Sequence, residues 1–486
     1  MTQDSYDVIV IGAGAVGENV ADRTVQGGLR TLIIESELVG GECSYWACMP
    51  SKALLRSGAA LAAARRVPGA AEALTGSVDV AAVLARRSAF TSHWSDAGQV
   101  SWLESAGIDL LRGHARLTGL REVTVTAADG TLTRLTATHA VVMCTGSSAL
   151  LPDIPGLADV QPWTSREATS ASVIPDSLCI IGGGTVAVEM ATAYASFGCR
   201  VTVIARSGLL GGLEPFAGDM IATALRADGV TVLLETSPTG ATRGSTGDVS
   251  LTLSTGDTVT AAQVLVATGR SPRTDDHGLP TVGLNAGDWL TVDDTLRVVG
   301  ESAMLDDGWL YAVGDVNRRA LLTHQGKYQA RAAGDVIVAR AAGAAVDDAP
   351  WGTHVATADH SAVPQVTFTD PEVASVGLTA AEAIKAGYRV RILDHDLAAV
   401  AGTALLADGY VGKARAVVDL DREVLLGVTF VGQDVGELLH SATIAVVGEV
   451  PVQRLWHAVP SYPTVSEVWL RLLEQYGRPG SLAGEG

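Results

Sequence analysis

Asp7-Val8-Ile9-Val10-Ile11-Gly12-Ala13-Gly14-Ala15-Val16-Gly17 and Leu178-Cys179-Ile180-Ile181-Gly182-Gly183-Gly184-Thr185-Val186-Ala187 are two forms of one pattern. In each, a short apolar run ends on a glycine turn. A helical stretch follows, to about Gln26 in the first and Phe197 in the second. Second apolar runs, Thr31–Glu35 and Val201–Ala205, complete two strand–turn–helix–strand units. Glycines at that turn let a backbone approach a pyrophosphate at the start of a helix, where unpaired N–H groups favour negative charge. One such turn is a weak signal; two in matching context predict two dinucleotide-binding units.

The residues at the ends of the second strands differ. Glu35 lies 23 residues after Gly12, where a carboxylate accepts hydrogen bonds from an adenine ribose. The same offset from Gly182 falls on Ala205, with Arg206 next. Loss of the acid and gain of a guanidinium suit the 2′-phosphate of NADPH, with NADH as the alternative. A solvated turn is the competing reading of Arg206.

Further runs fit around these units. Residues 140–146 and 263–269 are apolar strands ending in Thr-Gly, and 309–315 is another ending in Gly-Asp. Thr323 is expected to cap a helix from His324 to about Ala342. The Pro-containing stretch 151–156 reads as a linker, and beyond 364 strands are expected to alternate with helices. The fold class is therefore α/β: two Rossmann-like dinucleotide-binding domains and a C-terminal α/β domain. Expected domains are 1–150 with 275–355, then 151–274, then 356–486.

Gly40-Gly41-Glu42-Cys43-Ser44-Tyr45-Trp46-Ala47-Cys48-Met49-Pro50-Ser51-Lys52 carries the chemistry. Two cysteines precede a helix expected to start near Pro50, a residue tolerated in a first turn. Cys48 would feel the positive end of that helix, which favours thiolate over thiol. A pair this spaced cannot meet on an ideal helix, so a Cys43–Cys48 bond requires a distorted turn. Two buried thiols or two metal ligands are the alternatives; no CxxC or His cluster accompanies them, and no metal is expected. Cys144, Cys179 and Cys199 sit in or beside apolar strands and are expected to be buried.

Composition excludes other classes. A formal net charge of −19 argues against the clustered Lys and Arg that neutralise phosphates, so no nucleic-acid partner is expected. Tyr6–Ile11 runs into glycines and reads as a strand rather than a signal peptide. No apolar stretch is long enough to span a bilayer. Few cysteines and no leader make the cytoplasm the expected compartment.

With these motifs in this order, the sequence resembles the pyridine nucleotide–disulfide oxidoreductases, a family that includes glutathione reductase, dihydrolipoamide dehydrogenase and mercuric reductase. The resemblance covers essentially the whole chain, including residues 311–315 and 368–372. It implies FAD on the first unit, held by Gly12, Gly14, Gly17, Glu35, Gly41, Ala115, Thr145, Gly146, Asp315 and Thr323. It implies the nicotinamide nucleotide on the second, at Gly182, Gly184, Ala187, Arg206 and Gly269. Electrons would pass from NADPH through flavin to a Cys43–Cys48 disulfide and on to a small-molecule acceptor. Lys52 and Glu189 would pair near the flavin, and the third region would form a homodimer whose active sites draw on both subunits.

Residues 457–467 depart from the family pattern. Tyr462 stands where the family usually has a catalytic histidine, while Glu467 keeps its place. A phenol is a poor base at neutral pH. His457 is a substitute or a surface residue. Mercuric reductases and soluble transhydrogenases also carry Tyr there, but mercuric reductases end in a vicinal cysteine pair that residues 478–486 lack. Soluble transhydrogenases resemble this chain around Cys43 and Trp46 but lack the second cysteine. Two alternatives follow: a transhydrogenase or quinone reductase using flavin without the cysteines, or a flavin-bound redox sensor with little turnover. Tyr45 and Trp46 either narrow access to the cysteines or pack.

Overall fold

A computed structural model describes residues 4–478. They divide into two compact units. One comprises the segment ending at Pro50, Arg87–Leu150 and Arg270–His360; the other comprises Ser51–Arg86, Leu151–Gly269 and the segment from Ser361. The residues from 479 to 486, whose sequence carries no cysteine pair, lie outside the described residues. Among the described residues no helix is long and apolar enough to cross a membrane.

The first unit is built on a sheet ordered Asp109–Arg112, Thr31–Glu35, Asp4–Ile11, Leu132–Met143, Glu122–Thr126 and His114–Gly119, with Leu310–Ala312 also paired to Leu132–Met143. Its centre is parallel, with Val10 opposite Ile33 on one side and Val142 on the other. Val8 and Val10 pack into one apolar cluster and Ile9 and Ile11 into another. Both faces of the strand are covered, which is why it reads as an unbroken apolar run. The helices Ala15–Gln26 and Thr323–Ala341 cover the Val8/Val10 face, contributing Val20, Ala333 and Ile337. Gly12 has φ +101°, and a Cβ there would lie 2.4 Å from the Cys144 carbonyl oxygen. Only glycine makes that turn without displacing the neighbouring strand end.

The second unit repeats the plan. Its parallel sheet runs Thr231–Leu233, Arg200–Ile204, Ser177–Ile181, Gln263–Val266, and Thr185–Ser196 is the helix after the glycine turn. At Gly182, φ is +135° and a Cβ would meet the Ala267 carbonyl oxygen at 2.2 Å.

Three expectations are corrected. Beyond 364 strands alternate with helices only in part: Ala380–Lys385 and Ala401–Leu406 separate Glu372–Gly377, Val390–Asp396 and Lys413–Asp419, which join Gln365–Thr367 and Val424–Gly432 in one antiparallel sheet, and the regular elements after Gly432 are helices only. Thr323 is the first helical residue, not a cap; Leu322 is the N-cap, without a side-chain bond. The helix expected near Pro50 begins at Cys48.

Candidate active site

The first unit's turn is a cradle shaped by close backbone approaches. Gly14 and Gly40 form a parallel bridge, and a Cβ on Gly41 would lie 2.8 Å from Gly14 Cα. A Cβ on Gly17 would meet the Gly12 carbonyl oxygen. Glu35 is fixed by the amides of Ala13 at 2.7 Å and Glu37 at 2.8 Å, one to each carboxylate oxygen. Ala115 is buried on a strand that reaches Glu35 through the bond from Gly113 N–H to its carbonyl. Asp315 accepts from Ser147 Oγ at 2.5 Å, with Arg270 Nε 3.7 Å away. Gly146 adopts φ +71° beside Ser147. Thr145 Oγ1 is sheltered and has no hydrogen-bond partner among the described residues, so a polar group is expected against it. The FAD implied by the resemblance fits these residues.

The cysteines lie in the same unit. The short helix Gly41–Tyr45 ends at Trp46, whose φ of −135° breaks the chain's course before Cys48 opens the next helix. That break keeps the two cysteines off one continuous helix. Both residues are half-buried thiols, and Cys48 Sγ lies 3.2 Å from Thr323 Oγ1. A hydrogen bond with Cys48, then burial, pushes the Cys43 thiol far up, while Thr323 and Lys327 pull it down. The balance holds the Cys43 thiol against ionisation. Cys48 occupies the first position of a helix 18 residues long, where unpaired N–H groups stabilise an anion. Tyr45 is buried and donates to the Val39 carbonyl, so it packs rather than lining an entrance. Cys144, Cys179 and Cys199 are buried, and desolvation raises the latter two to about 12 and about 11.

In the second unit Gly182 and Gly184 open the turn, Ala187 is buried, Gly269 has φ +141° and Arg206 is exposed. Lys52 donates to both Glu189 oxygens at 3.1 and 2.9 Å, and the Phe368 amide donates to Oε1 at 3.0 Å. The sequence did not signal this third bond. Tyr462 and Glu467 are not joined by a hydrogen bond. Tyr462 is 76% exposed, and His457 is exposed. Glu467 is buried with Oε1 on Arg471 at 2.5 Å and Oε2 without a partner among the described residues. Among the described residues no group of His, Cys, Asp and Glu is placed to hold a metal ion.

Two dinucleotide turns and a paired-cysteine helix start define a flavin-dependent enzyme that couples pyridine nucleotides to disulfides. The match to family models is direct: "Pyridine nucleotide-disulphide oxidoreductase" over residues 6–339 and its dimerisation domain over 363–472. The chain belongs to the pyridine nucleotide–disulfide oxidoreductases. It is 32% identical to a mercuric reductase of Acidithiobacillus ferrooxidans, over 95% of this chain and 80% of that one. It is also 32% identical to a dihydrolipoyl dehydrogenase of Thermus scotoductus, over 95% of each. The HOCl-induced flavoprotein disulfide reductase RclA of Escherichia coli, solved as a Cu(II) complex, shares the fold. There the TM-score is 0.82 at 22% identity, covering 98% of this chain and all of that one.

Proposed function

We propose that the enzyme passes electrons from NADPH to a Cys43–Cys48 disulfide and from there to a disulfide or another thiol-reactive acceptor. The observation that carries this reading is the Cys43–Cys48–Thr323 cluster at a helix start within the unit that holds the flavin cradle. FAD, when bound, supplies two-electron transfer between a nicotinamide and a disulfide. Two electrons and one proton convert the disulfide into one thiol and one thiolate. Cys48, at the helix start, holds the charge; Cys43 holds the proton and meets the acceptor. Thr323 orients the Cys48 sulfur through its hydroxyl.

Gly12, Gly14, Gly17, Glu35, Gly41, Thr145 and Asp315 position the flavin nucleotide; Gly182, Gly184 and Arg206 position NADPH. Arg206 supports the 2′-phosphate assignment because it follows Ala205 where a ribose-binding acid would stand. The dimerisation domain supports a homodimer with shared active sites, and the cytoplasm is the compartment that keeps such a pair cycling.

The test is Cys43→Ser. NADPH-driven reduction of small disulfides is expected to fall by at least about a thousandfold, with flavin content unchanged. Full activity in Cys43→Ser would transfer the function to direct use of the flavin, as in a transhydrogenase or quinone reductase.

A further inference from the structure

Lys327 and Glu18 are charged groups of the first unit that the proposed mechanism leaves unused. Lys327 lies four residues after Thr323 on the same helix, hence on the same face as the hydroxyl that touches Cys48. The preceding residue, Gly326, has room for no side chain: a Cβ would lie 2.5 Å from Val16 Cγ2. This presses the start of the Thr323 helix onto the first turn of Ala15–Gln26, where Glu18 sits.

The Lys327 ammonium acts on both neighbours, lowering the Cys43 thiol and the Glu18 carboxyl. It makes no direct ion pair among the described residues, so its charge is not committed to either. Glu18 Oε1 is shielded from solvent and has no hydrogen-bond partner there. The other groups facing Glu18 are Glu35 at its strand end and Tyr45 on the cysteine segment. Burial raises Glu18 to about 7, against the pull of Lys327 and with a further push from Glu35.

We propose that Lys327 is the fixed cation that balances the negative charge of the reduced Cys43/Cys48 couple, and that Glu18 controls how much of this charge the sulfurs receive. With Glu18 protonated, Lys327 serves the sulfurs alone. Once Glu18 ionises, its carboxylate competes for the ammonium and the thiolate is held less firmly. Lys327 is thus a positioning residue that acts through its field. The proposal rests on the reading of Cys43 and Cys48 as a redox couple, but its test needs no nicotinamide and no turnover.

The flavin-loaded protein is reduced with dithiothreitol, desalted without oxygen, and alkylated with iodoacetamide over a range of pH. Peptide mass spectrometry reads the rates at Cys43 and Cys48. Lys327→Met is expected to slow alkylation at neutral pH about tenfold, moving its midpoint up by about one pH unit. Lys327→Arg should restore the wild-type profile. Glu18→Gln should speed alkylation about threefold above neutral pH and remove an inflection near pH 7. If Lys327→Met does not accumulate folded, Glu18→Gln alone decides. A wild-type profile in a flavin-loaded Lys327→Met, failure of Lys327→Arg to restore it, or an unchanged profile in Glu18→Gln would overturn the proposal. Full disulfide reduction by Cys43→Ser would instead sink the redox reading and leave these alkylation results standing.

Discussion

Removing either partner of the Lys52–Glu189 pair should have unequal consequences. The Glu189 side chain is 4% exposed and Lys52 36%. At 2.9 Å and an effective dielectric near 20, the direct attraction is about 6 kcal/mol. Lys52 is open enough to water that most of this is screened, leaving a net of about 1 kcal/mol for the pair. Glu189→Ala also strands the Phe368 amide, whose 3.0 Å bond to a carboxylate is worth about 1.5–3 kcal/mol. The ammonium can turn to water and recover the pair's small net contribution, so the total loss is that of the amide bond, about 1.5–3 kcal/mol. Lys52→Met leaves a buried carboxylate with one backbone donor, and its cost should be larger, about 3–4 kcal/mol. A chain of two units has no single unfolding free energy, so local hydrogen exchange is the suitable assay. In Glu189→Ala the Phe368 amide should exchange at least about tenfold faster. Glu189→Gln, which keeps the acceptor oxygen, should recover most of that protection. Wild-type exchange at Phe368 in Glu189→Ala, or a smaller loss in Lys52→Met than in Glu189→Ala, would refute the reasoning.

Replacing Ala205 with Glu and Arg206 with Ala should raise the KM for NADPH about tenfold or more while lowering that for NADH, read in steady-state assays with each nucleotide. Equal effects on both would mean that Arg206 does not meet the 2′-phosphate. Glu18 also predicts a pH dependence of stability. Its carboxyl is raised in the folded protein to about 7 from an ordinary 4.5, so its contribution is full below pH 4.5 and lost as pH rises through 7. Glu18→Gln lacks that loss. Exchange-derived stability of the first unit should favour the variant increasingly between those values, by about 3 kcal/mol at most above them. A gap independent of pH would contradict this.

The nucleotide units were legible because their constraints are steric and local. Gly12 and Gly182 must be glycine for a turn that runs against a strand end, and the strands beside them are buried on both faces. Glu35 is legible for the same reason: it ends a strand at a fixed distance from the turn. The third region was legible only in outline, because that same signal becomes ambiguous there. Val424–Gly432 is buried at every position, so it shows no alternation to mark it as the centre of an antiparallel sheet. Thr323 was assigned to a cap because Thr before an apolar helix is a good cap, but its hydroxyl is committed to Cys48. Glu18 and Lys327 carry no local signal. Each reads as an ordinary charged helix residue, and they meet only because Gly326 lets two helix starts close on one another.

The departure at Tyr462 and the charge around the cysteines bear on the same chemical problem. In the proposed half-reaction reduction leaves a proton on Cys43, and a disulfide acceptor needs a proton for the thiolate it releases. Glu467 has a buried oxygen without a hydrogen-bond partner among the described residues, and Tyr462, where the family usually carries its acid/base histidine, is exposed. In the mechanism and the inference proposed above, thiolate is stabilised by fixed charge instead: the helix start at Cys48 and the ammonium of Lys327. Fixed charge makes a nucleophile available but cannot return a proton to a leaving group. An enzyme built this way should favour acceptors that take a thiolate directly, such as soft cations or activated electrophiles, over unactivated disulfides.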